Sequence, residues 1–182
     1  MMNKSYKLLG LILLLILAVG SLPARDLKLG DDAPDFTLPF ASPDTIDFDG
    51  VRLSDYYGKQ NVVLAFYPAD WSPGCTTEMC NLRDNFAELS QLNAAILGIS
   101  GDYVFSHKAW IDHHGIQFKL LSDHLHKVAR MYQSYRPTIG MNKRTVFIID
   151  KEGKIAYINL NYTAGNQQDF RRLQEHLAAL GN

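Results

Sequence analysis

Cysteine is scarce in this chain: 182 residues contain two, Cys75 and Cys80. Two thiols cannot supply a Cys₄ zinc site or a multi-bridge disulfide scaffold. An excess of charge of one sign is lacking as well. With 18 Lys and Arg against 19 Asp and Glu, the net charge is −1. No basic excess argues for nucleic acid as a partner, and no acidic run for a disordered tail. Neither a Gly-x-Gly-x-x-Gly nor a Walker-type loop is present, so nucleotide binding has no support. There is no internal repeat and no low-complexity segment. At 47% hydrophobic residues, what remains is one domain with a core large enough to fold without staples. Its job is then small-molecule or redox chemistry.

The first 24 residues stand apart. Lys4 and Lys7 precede an apolar run from Leu8 to Val19, and Gly20, Ser21, Pro23 and Ala24 follow before the first acid, Asp26. That is the layout of a secretory signal, with Ala24 as a candidate last residue before cleavage. The rival is an uncleaved N-terminal anchor, but the run is shorter than the roughly 20 apolar residues of a comfortable span. Loss of Lys4 and Lys7 moves the net charge from −1 to −3. The expected location is a periplasm or another extracytoplasmic lumen, with membrane attachment only if the segment is retained.

Residues 25–60 read as an irregular lead-in broken by Gly30, Pro34, Pro39, Pro43 and Gly50. Val62–Tyr67 is a continuous apolar run rich in β-branched and aromatic residues, the signature of a strand buried on both faces. After a loop holding Pro68, Pro73 and Gly74, a helical pattern extends from Cys75 to about Leu92, with Leu82, Phe86 and Leu89 on one face. Strands are expected at 95–100, 118–121, 146–149 and 155–160, and helices at 104–114, 125–135 and 167–180. Asp150-Lys-Glu-Gly153 reads as a hairpin turn, and Phe170, Leu173, Leu177 and Leu180 as the apolar face of the last helix. Strand–helix alternation closed by a hairpin and a helix gives an α/β architecture with a mixed central sheet flanked by helices.

The chemistry concentrates in Pro68-Ala-Asp-Trp-Ser72-Pro-Gly-Cys75-Thr-Thr-Glu78-Met-Cys80. Cys75 follows a buried strand and opens a helix, where unpaired N–H groups and the helix dipole favour a thiolate. A free thiol, of pKa near 8.5, is only a few per cent ionised at neutral pH, so useful reactivity asks for a shift of about two units. Each unit is worth about 1.4 kcal/mol, and a helix terminus supplies roughly 0.3–1. A second positive group is required. Arg144 is the candidate, because it opens the strand 146–149, which should lie beside 62–67. Cys75 and Cys80, five residues apart on an ideal helix, have Cα atoms about 8–9 Å apart and side chains about 140° apart. A disulfide tolerates at most about 7 Å, so the two pair only if the first turn unwinds. A permanent staple that sacrifices a helix turn is poor design, whereas a transient catalytic bond makes sense. The plain alternative is two unreactive core thiols.

In these residues the chain resembles the peroxiredoxins, and within them the peroxiredoxin Q (bacterioferritin comigratory protein) type. The family's Pro-x-x-x-Thr/Ser-x-x-Cys motif is Pro68 to Cys75, with the less usual Ser at 72. Further matches are Gly30-Asp-Asp-Ala-Pro34-Asp-Phe-Thr-Leu38, Glu78, Arg83-Asp84, Gly98-Ile-Ser100 with Asp102, Leu120-Leu-Ser-Asp123 and Arg144-x-x-Phe147-Ile-Ile-Asp150. The resemblance runs from about Leu29 to the C-terminus. It implies a thioredoxin-like fold and a thiol peroxidase with no metal or organic cofactor. It implies Cys75 as the peroxidatic cysteine, Ser72 as the hydroxyl at the peroxide site and Arg144 as the group that activates the thiolate and polarises the peroxide. Pro68 would shield the sulfur, and Cys80 matches the resolving cysteine. Peroxide attack then leaves a sulfenic acid, which Cys80 converts to a disulfide for an external thioredoxin-like dithiol to reduce. Members of this type are often monomers, so a monomer or weak dimer is expected.

Rival readings exist for most of these residues. Arg144 could be a surface ion-pair partner, as Lys143 beside it reads. Ser72 could be a turn residue, Glu78 an acid that suits the first turn of a helix, and Trp71 pocket wall or core. Six histidines, with His113-His114 and His124-x-His126, invite a metal, yet spacing fixes no third ligand. A copper carrier on the same fold would want a Cys-x-x-x-Cys pair with a distal His. An exported disulfide-exchange protein of the cytochrome-maturation kind expects Cys-x-x-Cys, and a non-catalytic thioredoxin-like binding module would have an unreactive Cys75. Asn161-Tyr-Thr163 is a glycosylation sequon of consequence only in a eukaryotic secretory pathway.

Overall fold

The computed structural model describes residues 26–181; the segment read as an export signal, residues 1–24, lies outside them. In chain order the elements are β1 (Thr37–Ala41), β2 (Ile46–Arg52), a 3₁₀ turn (Leu53–Tyr56), β3 (Asn61–Phe66), α1 (Pro73–Asp84), α2 (Phe86–Gln91), β4 (Ala94–Ser100), α3 (Val104–His114), β5 (Lys119–Ser122), α4 (Lys127–Met131), the short strands β6 (Tyr135–Arg136) and β7 (Met141–Asn142), β8 (Thr145–Ile149), β9 (Ile155–Asn159) and α5 (Gln167–Leu180). Seven strands make one mixed sheet in the order β2-β1-β5-β4-β3-β8-β9, and β6 and β7 pair apart from it. Among the described residues no helix is long and apolar enough to cross a membrane.

The centre of the sheet follows from its apolar runs. β3, β4 and β5 are parallel, and parallel neighbours need crossover segments that cover the sheet faces. Side chains alternate along β3: Val62, Leu64 and Phe66 join one core cluster, and Val63, Ala65 and Tyr67 the other. Residues of α1, α3 and α5 fill the second cluster, including Met79, Leu82, Trp110, Phe170, Leu173 and Leu177. Val128 and Ala129 of α4, with Tyr132, Phe36 and Leu53, fill the first. Each fully buried side chain of this size contributes roughly 1.5–3 kcal/mol, which is what holds helices of modest propensity against both faces.

β8 lies antiparallel beside β3 with Phe66 opposite Thr145, as expected. The turn before β9 closes through Gly153 N–H to Asp150 O at 3.0 Å, with Gly153 at φ +80°. α5 buries Phe170, Leu173 and Leu177, while Leu180 at its end is exposed.

Three expectations need correction. The lead-in is not irregular: β1 pairs antiparallel with both β2 and β5 and extends the main sheet. Its breakers shape it rather than prevent it. Pro39 falls at the register break between Leu38 and Phe40, where a missing N–H does no harm. Gly50 opposite sits at φ +86°, and a Cβ there would lie 2.4 Å from Leu38 O. The helix expected over 75–92 starts earlier, at Pro73, and breaks at Asn85. The Asn85 side chain donates to Asn81 O at 2.8 Å, competing for a helix carbonyl as short polar side chains do. The helix expected over 125–135 is only α4, because Gln133 turns left-handed at φ +56° and Ser134 N–H closes back on Ala129 O at 2.7 Å.

Candidate active site

Pairing of Phe66 with Thr145 fixes where the site lies. The next residues on the two antiparallel strands, Tyr67 leaving β3 and Arg144 entering β8, meet at one end of the sheet. The loop from Pro68 to Ser72 departs from that end and α1 begins there, with Pro73 in its first turn, a position that needs no N–H. Cys75 follows two residues later and is fully buried. Arg144 reaches it: Nη2 lies 3.4 Å from Cys75 Sγ, while Nη1 donates to Glu78 Oε2. Glu78 is three residues beyond Cys75 and therefore on the same helix face. Gly74 leaves room for the guanidinium, since a Cβ there would stand 3.2 Å from Nη2.

The electrostatics are tightly coupled. Glu78 has a side chain only 1% exposed, and its Oε1 has no partner among the described residues. Burial pushes its pKa up to about 7 against the opposing pull of Arg144. Burial also works against the Arg144 charge, but Glu78 and the Cys75 sulfur outweigh it and raise the Arg144 pKa. Between pH 4.5, the ordinary value, and about 7 the folded protein holds a proton at Glu78 that the unfolded chain has released. That stabilisation is complete below the ordinary pKa and gone above the raised one. From about pH 5 to about pH 8 the wild type should therefore lose about 1–3 kcal/mol more unfolding free energy than Glu78→Gln. Urea unfolding of both proteins at the two pH values measures it, and equal losses would refute the raised value.

The Pro68–Ser72 loop is held by a buried polar cluster that the sequence did not announce. Asp70 accepts from Tyr67 Oη at 2.8 Å and from Ser106 Oγ at 2.7 Å, with His107 Nδ1 at 2.9 Å. Its own N–H donates to Asp102 Oδ2 at 2.9 Å, and Asp102 also accepts from Ser100 Oγ at 2.7 Å. Asp102 and Ser100 belong to a motif in the sequence; Asp70, Ser106 and His107 carry no pattern that marks them as a cluster. Trp71 stands at φ +62°, a strained conformation for a bulky residue. Its Nε1 donates to Ser106 Oγ at 3.3 Å, and its ring packs on His113 and His114 of α3. It is half exposed, so it is pocket rim rather than core.

Of the remaining candidates, Ser72 is the residue before α1, and its Oγ donates to Ala69 O at 3.1 Å instead of capping the helix. Pro68 is half buried and lines a small cavity with Ala69, Gly101, Asp102, His126, Gly140 and Met141. Cys80 is half buried, both cysteines are free thiols, and Cys80 Sγ faces His114 Nδ1 at 4.0 Å. Lys143, next in the chain to Arg144, donates its backbone N–H to Ser134 O. The histidines do not converge on one point: His113 and His114 pack ring to ring at 4.6 Å, while His124 Nε2 meets Tyr103 Oη at 2.6 Å and His126 Nδ1 meets Asn142 Oδ1 at 2.8 Å. Among the described residues no group of three or more His, Cys, Asp or Glu is placed to hold a metal ion.

A reduced thiol set against an ion-paired arginine, at the end of a mixed sheet where a loop meets a helix N-terminus, is the arrangement of a thiol-based redox enzyme on a thioredoxin-like fold. The model of the AhpC/TSA family matches residues 29–158, and the chain belongs to that family; it is a thiol-dependent peroxidase of the peroxiredoxin class. Among curated proteins it is similar to "Peroxiredoxin Bcp" of Bacillus subtilis, 38% identical over 135 residues that cover 71% of this chain and 82% of the relative. It is 36% identical to "Peroxiredoxin Bcp" of Escherichia coli over 160 residues, 82% of this chain and 97% of that one. Among solved structures, peroxidoxin BcpB of Mycobacterium tuberculosis superposes with a TM-score of 0.72 at 30% identity, covering 86% of this chain and 99% of that chain. Thioredoxin peroxidase I of Plasmodium yoelii gives 0.75 at 28% identity, covering 84% and 90%.

Proposed function

We propose that Cys75 is the peroxidatic cysteine and that Cys80 resolves it. The observation that carries this is Arg144 Nη2 at 3.4 Å from Cys75 Sγ. A guanidinium so placed attracts a thiolate and can donate a second N–H to a peroxide oxygen as charge develops on it. The Cys75 thiolate attacks the terminal oxygen of hydrogen peroxide or an organic hydroperoxide, the O–O bond breaks, and the expelled hydroxide or alkoxide takes up the proton that the thiol released on ionising and leaves as water or alcohol. Ser72 Oγ commits its own proton to Ala69 O, so toward a peroxide it serves as an acceptor. Pro68 screens the sulfur from bulk water.

The sulfenic acid on Cys75 then meets Cys80. In the folded helix the two thiols cannot join, so the first turn of α1 unwinds, Cys75 swings toward Cys80, and the disulfide forms with loss of water. A thioredoxin-like dithiol reduces it by exchange. The chain acts as a monomer or weak dimer, as the likeness to the peroxiredoxin Q type suggests. It works outside the cytoplasm, on the strength of the Lys4, Lys7 and Leu8–Val19 pattern.

Intact mass of the reduced protein within seconds of one equivalent of hydrogen peroxide tests the scheme. Loss of two hydrogens is the expected result. In Cys80→Ser the expected result is gain of oxygen at Cys75. An unchanged wild-type mass removes Cys75 from the peroxidatic role. Full turnover of Cys80→Ser with a dithiol protein removes the internal resolving step.

A further inference from the structure

Cys80 sits on the part of α1 that is tied down. Arg83, one turn further on, donates from Nη1 to His114 O at 2.5 Å, which fastens the second half of α1 to the C-terminal end of α3. There Gly115, at φ +63°, ends α3 and lets Ile116 N–H close on Ile111 O at 3.2 Å, fixing the backbone that carries His114. Among the described residues no hydrogen bond or ion pair ties the first turn of α1 to α3 in this way. In disulfide formation Cys75 is therefore the sulfur that travels and Cys80 the one that waits.

What Cys80 waits beside is an imidazole. His114 Nδ1 lies 4.0 Å from Cys80 Sγ, at the outer limit of sulfur hydrogen bonding. The ring is packed by three others: perpendicular to Trp110 at 5.9 Å, perpendicular to His113 at 4.6 Å, and tilted by 48° to Trp71 at 6.2 Å between centroids. From this placement we propose that His114 is the general base of the resolving step, taking the proton of the Cys80 thiol through Nδ1. The proposal rests on the reading of Cys80 as the resolving cysteine. Burial first, then the charges of His113 and Arg83, hold the His114 pKa below its ordinary value, so the ring is neutral and has a lone pair to offer at neutral pH.

The step balances. Neutral His114, with its proton on Nε2, accepts the Cys80 proton at Nδ1. The Cys80 thiolate attacks Cys75 Sγ, the S–S bond forms and the S–O bond breaks. Cys80 is oxidised and the Cys75 sulfenic sulfur reduced. Hydroxide leaves and takes the proton back from His114 as water. Trp71 connects this step to the first one, because it belongs to the loop that carries Ser72 and also packs at a tilt against the His114 ring. When that loop and the first turn of α1 unwind, Trp71 lifts off and opens the approach of Cys75 to Cys80.

A base of this kind has a bounded benefit. A free thiol is a few per cent ionised at neutral pH, so a base that ionises it fully accelerates the step at most about 30-fold, and the gain shrinks as the pH rises. The test is rapid-quench mass spectrometry of reduced full chain after one equivalent of hydrogen peroxide, following the species with one added oxygen and its conversion to the disulfide across pH. His114→Asn keeps a polar atom where Nδ1 stands but cannot accept a proton. It should slow disulfide formation about 10–30-fold at neutral pH, converge on the wild type near pH 9.5, and retard Cys75 oxidation far less. His113→Gln, which perturbs the same aromatic cluster without touching Cys80, should stay within about twofold of the wild type on the resolving step. Equal slowing by both variants, or a His114→Asn deficit independent of pH, overturns the assignment as a packing effect. A wild type that forms no Cys75–Cys80 disulfide overturns the resolving role itself, a different result from a disulfide that forms at the same rate without His114.

Discussion

Arg144→Met is expected to lower the second-order rate of reaction with hydrogen peroxide by about 10²–10³, the loss typical of one well-aimed donor to a developing negative charge. Arg144 makes two contacts with one fork, Nη2 to the Cys75 sulfur at 3.4 Å and Nη1 to Glu78. The planar guanidinium can hold both at once, which a lysine ammonium on a flexible stem cannot. Arg144→Lys should therefore recover part of the loss and not all of it. The methionine variant also leaves Glu78 buried without its cation, so its carboxyl should take up a proton and the fold should lose some stability. Adding Glu78→Gln to Arg144→Met removes that orphaned acid. If the double variant regains stability but stays slow with peroxide, the guanidinium acts on Cys75 directly. Stopped-flow tryptophan fluorescence or competition for peroxide measures the rate. An Arg144→Met protein within about threefold of the wild type would reduce Arg144 to a structural partner of Glu78.

The sheet centre was legible because its strands are buried on both faces, and such strands read as continuous apolar runs; β3 and β8 lie side by side as their composition suggests. That one adjacency was enough to bring Arg144, 69 residues beyond Cys75 in the chain, to the thiol. The two strands of the lead-in, β1 and β2, were not legible. β2 is half exposed, with the burial of its seven residues mixed, and Pro39 and Gly50 mask the pairing they permit. Helix ends failed for a related reason: Asn85 and Gln133 stop their helices through a side-chain bond and a left-handed turn, neither of which alters the apolar period. Asp70 was missed altogether. A single aspartate in a loop reads as solvated, and what makes it a buried hub is contributed by Ser106 and His107, 36 and 37 residues away.

Asp70→Ala should cost about 3–5 kcal/mol of stability, because it breaks a buried charged hydrogen-bond cluster from its centre. The Asp70 side chain is 1% exposed and that of His107 is fully buried, so water cannot replace the lost acceptor without entering the core. Tyr67 Oη, Ser106 Oγ and His107 Nδ1 would each lose their short contact to the carboxylate, and His107 Nε2 already lacks a partner among the described residues. Asp70→Asn should be milder. Its amide keeps one oxygen acceptor but turns a donor toward groups that also donate, a loss of about 1–3 kcal/mol. The consequence for the reaction follows from what the cluster fastens. Asp70 lies between Pro68 and Ser72, and it anchors their loop to α3 through Ser106 and His107 and to the end of β4 through Asp102. Without it, Trp71 has no reason to remain in its strained left-handed conformation, and Ser72 loses its fixed place at the start of α1. Urea unfolding gives the stability loss, and peroxide kinetics well below both unfolding transitions separate it from the loss of positioning. The expected outcome is a fully folded variant that still reacts about tenfold slower, since misplacement by about an ångström is enough to slow a positioned reaction. A variant destabilised as stated but reacting at the wild-type rate would mean that the cluster holds the fold and leaves the peroxide site to Arg144 alone.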